Sequence, residues 1–198
     1  MRIVAQIIST ILHPVIMPTL AVFYLTWANP FLFNNSWYLI LITAINTFVF
    51  PVLATLLMRA TGLIQSLELK TRNERIAVFI AVMVFYTWSV VLFYRLEGYP
   101  ETIGDIAFGA TAGLTFAFLN IIFDNKISLH TIGVGGLAAI ALFSAHIATH
   151  RTDWAFALVI VVAGLIGSSR LILNAHTPRQ VLHGYLTGFL CTAIALII

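Results

Sequence analysis

Seven apolar stretches, each about twenty residues long and separated by short polar breaks, occupy nearly all of this 198-residue chain. Hydrocarbon offers backbone amides no partner, so segments of that length must satisfy their own hydrogen bonds as helices. The pattern predicts helices over 3–28, 37–59, 73–95, 105–123, 129–149, 154–173 and 178–198. The expected fold class is all-α: a polytopic transmembrane helical bundle of about six to seven spans, forming one integral-membrane domain over residues 1–198. Charged residues are only 9% of the chain, against about 25% in soluble domains. A water-soluble fold is excluded.

Ten basic residues against seven acidic ones leave a small positive charge, +3, too weak and too dispersed to indicate a nucleic-acid partner. Cys191 is the only cysteine, so no intrachain disulfide is available and the redox compartment is not indicated. His13-Pro14 and Pro18 interrupt the first apolar stretch, and no small-residue cleavage site follows. A retained first span is therefore expected rather than a cleaved signal. Pro14, Pro18 and Pro51 lie inside spans and are expected to kink them.

Seven crossings place the second-to-third, fourth-to-fifth and sixth-to-seventh connections on one membrane face. That face gathers Lys70, Arg72, Arg75, Lys126, Ser128, His130, Arg170, His176 and Arg179. The opposite face holds only Arg95 and Arg151 among the basic residues. Each connection on the rich face ends in a helix-start signal. Thr71-Arg72-Asn73-Glu74 and Thr177-Pro178-Arg179-Gln180 both match a capping box, and Pro178 falls at the first helical position. Ser128 is the expected N-cap of the fifth span. Three helix N-termini with unpaired amides, joined by guanidinium groups, suit a phosphate or another anion. The plainer account is that every helix start carries such caps and that basic residues flank spans on the cytoplasmic side. Arg170 and His176 go beyond that account, because both sit at one span end where burying them is costly.

The run Ser169-Arg170, five residues, His176, three residues and Gln180 resembles the last signature of the type 2 phosphatidic acid phosphatase superfamily, with Gln180 where that family has Asp. Ile127-Ser128-Leu129-His130 is similar to its middle signature, keeping Ser and His without the Pro and Gly. Of the first signature Arg75 could stand for the Arg. Glu68 occupies the Lys position, Ile76 follows in place of Pro, and Lys126 is a competing remnant.

The resemblance implies a membrane hydrolase that removes phosphate from a lipid phosphate, pyrophosphate or isoprenoid phosphate, with no cofactor and no metal. His176 would attack phosphorus and form a phosphohistidine, while His130 would protonate the leaving oxygen and then activate water. Arg170, Ser128, Ser169, Arg75, Arg72 and Lys126 would hold phosphate oxygens, and Gln180 would orient His176. An amide cannot add the charge of the family's carboxylate, so weakened turnover is expected. Two rivals stand beside this: a catalytically silent relative that binds a lipid headgroup, and a transporter using the polar cluster as its path. The expected surroundings are membrane lipids, in the cell membrane. The excess of basic residues would make the site's face cytoplasmic, whereas the resemblance implies a site outside the cytoplasm. A re-entrant first span would reduce the crossings to six.

Other residues admit structural readings. His146 and His150, four apart and near Asp153, have a spacing that could hold zinc or haem, although interfacial hydrogen bonding accounts for them as well. His183 could support the site or bond between helices. Gly133, Gly135 and Gly136, with Gly184 and Gly188, suit close helix contact rather than a nucleotide loop. Trp27, Trp37, Trp88 and Trp154 mostly fall near span ends, as an interfacial belt would place them.

Overall fold

The computed structural model describes every residue except Asn35, Lys70, Asp124, His150 and Arg151, and the side chain of Asp153. The described residues form an all-α bundle with no strand. The helices are α1 (Arg2–Ile11), α2 (Met17–Ala28), α3 (Trp37–Ala44), α4 (Phe50–Ala60), α5 (Arg72–Tyr94), α6 (Thr102–Ile122), α7 (Leu129–Ile147), α8 (Asp153–Ile172) and α9 (Pro178–Ala195). Their limits agree with the seven predicted segments to within about three residues. Six segments are long and apolar enough to cross a membrane: Arg2–Ala28, Trp37–Ala60, α5, α6, α7 and Trp154–Ile172. The seventh, α9, opens with Arg179, Gln180 and His183 and is the least apolar of the set.

The prolines act where their chemistry requires. Proline disfavours helical backbone at the residue before it, and His13 is extended (φ −67°, ψ 139°), which ends α1 and starts a 3₁₀ turn at Pro14–Ile16. The first apolar segment is therefore a broken helix. In the second, Pro51 has no N–H to return to the carbonyl four residues earlier. The chain widens there into a π turn over Ile45–Val49. Side chains back-bond across this stretch, Thr43 to Leu39 O, Asn46 to Ile42 O and Thr47 to Thr43 O.

Helix α9 is packed against α7 and α6, and small residues make this possible. A Cβ at Gly188 would strike the carbonyl of Ile132, and one at Gly135 the carbonyl of Tyr185. The two backbones thus touch at the glycines assigned from sequence to close helix contact. Buried apolar residues gather toward one end of the bundle around Leu25, Leu39, Phe93 and Ile103, and toward the other around Phe79, Leu114, Ala117 and Ile132. Outward positions such as Leu57, Val84 and Val161 are exposed and apolar. Trp27 and Trp154 meet edge to face at 5.6 Å. Helix α1 packs on α8, which brings the N-terminal segment to the end of the bundle where α8 gives way to α9.

Candidate functional site

The turn between α8 and α9 is determined almost atom by atom by its sequence. Asn174 adopts the left-handed conformation (φ 52°), one of the few non-glycine residues that does so readily. The N–H of Ala175 then bonds Arg170 O at 3.1 Å and the N–H of Asn174 bonds Leu171 O at 3.0 Å. This is a Schellman closure of α8. Two residues later the predicted capping box opens α9: the N–H of Gln180 donates to Thr177 Oγ1 at 3.4 Å, and Gln180 Oε1 accepts from the N–H of Thr177 at 3.2 Å. His176 is thereby clamped between a helix end and a helix start, six residues after Arg170.

Gln180 Oε1 also lies 3.2 Å from His176 Nδ1. That atom must be the amide oxygen, because it accepts from a backbone N–H. Nδ1 therefore carries the hydrogen, and Nε2 keeps its lone pair. Burial is the main influence holding the His176 imidazole below its ordinary range; Gln180 raises it in part, and the Arg170 and Lys126 cations lower it further. The direction of that shift favours the neutral ring.

Arg170 extends from the last turn of α8 and donates from Nη1 to Ser9 Oγ at 2.6 Å. His130, at the start of α7, approaches the same residue from the other side. Its Nε2 is 3.2 Å from Ser9 Oγ and 3.0 Å from Ser9 O. His13 meets the His130 ring edge to face at 5.4 Å. A cavity of about 650 Å³ opens here, within the range of ligand sites. Its polar end is lined by His13, Arg75, Lys126, His130, Arg170 and His176, together with Glu68. Its body is apolar and runs between Phe79, Tyr86, Ile106, Leu114 and Ile140. His130 and Ile140 stand ten residues apart on α7, so the cavity reaches about 15 Å along the helix, roughly half of a hydrocarbon core.

Five of the residues singled out from sequence therefore share one cavity: His176, His130, Arg170, Arg75 and Lys126. Gln180 contacts it through His176. Arg75 also donates from Nη1 to Leu69 O at 3.2 Å. Three others are directed elsewhere. Arg72 donates to the carbonyls of Ile121 and Ile122 and so closes the C-terminus of α6. Ser169 turns its buried hydroxyl back to Ile166 O at 2.7 Å. Ser128 occupies the N-cap position of α7, but its side chain makes no cap bond, and its buried hydroxyl has no partner among the described residues. None of these three lines the cavity.

Lys70, expected on the same membrane face, lies outside the described residues. Among the described residues no group of three or more His, Cys, Asp or Glu converges as a metal site would. His146 is exposed, while His150 and the side chain of Asp153 lie outside the described residues. His183 is exposed on α9, away from the cavity.

Ser9 and His13 join this cluster although no motif in the sequence marked them. The signal that could have found them is the break at His13-Pro14: a histidine within an apolar segment, where proline forces the chain to turn. No family model, no curated protein and no solved structure matches the chain.

Proposed function

We propose that the chain is a membrane phosphohydrolase that removes phosphate from a lipid phosphate or pyrophosphate, in the manner of the type 2 phosphatidic acid phosphatases its motifs resemble. One observation carries the reading: His176, oriented by Gln180, shares with Arg170 and His130 the polar end of a cavity whose remainder is apolar. A phosphate headgroup suits that polar end, and a hydrocarbon chain suits the body.

In this reading His176 Nε2 attacks phosphorus and the P–O bond to the alcohol breaks, while His130, entering as the imidazolium with its second hydrogen on Nδ1, gives that proton to the leaving oxygen and becomes neutral. The product of this step is phosphohistidine plus the free alcohol. Water then loses a proton to His130 and attacks phosphorus, the P–N bond breaks, and inorganic phosphate leaves with both histidines restored. Arg170, with Arg75 and Lys126 at the cavity wall, offers positive charge to the equatorial oxygens as the transition state forms.

Incubation with a ³²P-labelled long-chain alkyl phosphate followed by an alkaline quench tests the proposal. An acid-labile label on the wild-type chain, absent from His176→Ala, is the expected result. Turnover unchanged in His176→Ala would refute the assignment.

The presence of an amide at position 180 favours a second reading, a silent relative that binds the headgroup without hydrolysing it. Lipid-phosphate binding without phosphate release would decide for it.

A further inference from the structure

Ser9 belongs to none of the motifs above, yet it is the residue through which the two halves of the cluster meet. It lies on α1, the short helix before the His13-Pro14 break, and is 6% exposed. Its hydroxyl accepts from Arg170 Nη1 at 2.6 Å. Its carbonyl oxygen lies 3.0 Å from His130 Nε2.

Each contact decides what the partner presents to the cavity. A guanidinium offers two bidentate edges, and the one formed by Nε and Nη2 is separate from Nη1. With Nη1 held by Ser9, the Nε–Nη2 edge is what remains for a ligand. Nε is buried and has no protein partner among the described residues. A buried donor without an acceptor is costly, and two oxygens of a phosphate would satisfy this edge. The carbonyl acts in parallel. A carbonyl only accepts, so His130 Nε2 carries the hydrogen, and Nδ1 becomes the nitrogen that exchanges a proton. Ser9 O thus does for His130 what Gln180 Oε1 does for His176.

We propose that Ser9 is a positioning residue of the site: its hydroxyl pins Arg170 so that the Nε–Nη2 edge takes two phosphate oxygens, and its carbonyl fixes His130 with Nδ1 as the proton-transferring atom. The broken first helix is then a working wall of the site. This inference rests on the phosphate-site reading but does not require that the bound ester be hydrolysed.

The experiment is a double-mutant cycle on the full chain in lipid nanodiscs, with inorganic phosphate as the probe. Affinity is read from phosphate-dependent thermal stabilisation, and turnover of a long-chain alkyl phosphate is measured beside it. Ser9→Ala is expected to weaken phosphate about tenfold to a hundredfold, the worth of a hydrogen bond to a charged group. In an Arg170→Ala background the same change should cost nothing further, because the hydroxyl acts through the guanidinium. Ser9→Thr keeps the hydroxyl and should bind within about threefold of wild type, a margin well below one such bond.

Phosphate binding by Ser9→Ala equal to wild type overturns the proposal, as does a full Ser9→Ala loss in the Arg170→Ala background. A Ser9→Thr protein that melts like wild type but binds as weakly as Ser9→Ala overturns it too. Phosphate binding with the expected coupling but no turnover supports the role of Ser9 and sinks the hydrolase reading alone. A wild-type chain that binds no phosphate overturns both.

Discussion

The side-chain oxygen of Gln180 lies 3.2 Å from Nδ1 of His176 while accepting, also at 3.2 Å, from the N–H of Thr177. One acceptor therefore caps α9 and sets the tautomer of the proposed nucleophile. An amide does both tasks but adds no charge as the ring becomes cationic. In a serine-protease triad, exchanging the carboxylate for an amide lowers turnover about 10⁴-fold. Gln180→Asp keeps the cap and supplies the charge, so phosphate release should rise about tenfold or more, with 10⁴ as the ceiling. Gln180→Ala removes both functions, lowering turnover and costing about 1 kcal/mol of stability through the lost cap. Steady-state phosphate release and melting in nanodiscs measure the two effects. An Asp variant no faster than wild type would show that position 180 is not the limitation.

How much of this was legible beforehand depends on the range of each interaction. The second half of the turn from Arg170 to Gln180 was readable because a capping box operates within a few residues, whereas the left-handed Asn174 that closes α8 was not read from the sequence. The crossing count alone brought Arg75, Lys126, His130 and His176 to one end of the bundle. What could not be read was the rotation of a side chain about its helix axis. Ser169 and Arg170 are adjacent, yet one faces packed helices and the other the cavity. Arg72 and Arg75 share a helix start, yet Arg72 bonds two carbonyls at the end of α6. Ser9 was invisible for a third reason: its position follows from α1 packing on α8, a contact between segments far apart in sequence.

The depressed proton affinity of His176 has a measurable sign. Carbethoxylation requires the neutral ring, so the midpoint of its labelling against pH should fall below 6.5. Lys126→Met removes one of the lowering causes and should move that midpoint upward. The same shift links to stability. The unfolded ring binds a proton more readily than the folded one, so the folded state is penalised as pH falls from 6.5 toward the folded value. Mass spectrometry of the His176 peptide, compared with melting of His176→Ala over the same range, reads both. A midpoint above 6.5 would contradict the buried, neutral ring.

The apolar body of the cavity predicts a separation between headgroup and chain. Ala110 lines it on α6. Ala110→Phe fills that space and leaves the polar end intact. Turnover of a long-chain alkyl phosphate should fall about tenfold to a hundredfold, as lost burial of two or three methylenes at about 0.8 kcal/mol each requires. A short water-soluble phosphate ester should be turned over as by wild type. Equal losses on both substrates would mean that the chain does not occupy this space.

The contact of α7 with α9 carries the last prediction, because it sets the spacing of the two proposed catalytic histidines. His130 opens α7 and His176 immediately precedes the cap of α9. The helices approach so closely that a Cβ at Gly188 would strike the Ile132 carbonyl, a backbone atom that cannot swing aside. Gly188→Ala must therefore push the helices apart, at a cost of about 1–3 kcal/mol. Gly164, on the exposed face of α8, has nothing within 4 Å of its would-be Cβ. Gly164→Ala should be neutral or stabilising by up to about 1 kcal/mol, since alanine is the better helix former. Denaturant-dependent unfolding in detergent compares the pair. Gly188→Ala should also slow phosphate release under conditions where it remains folded, because the wedge acts between the segments bearing His130 and His176. Full activity and stability in Gly188→Ala would mean that the two helices do not meet backbone to backbone.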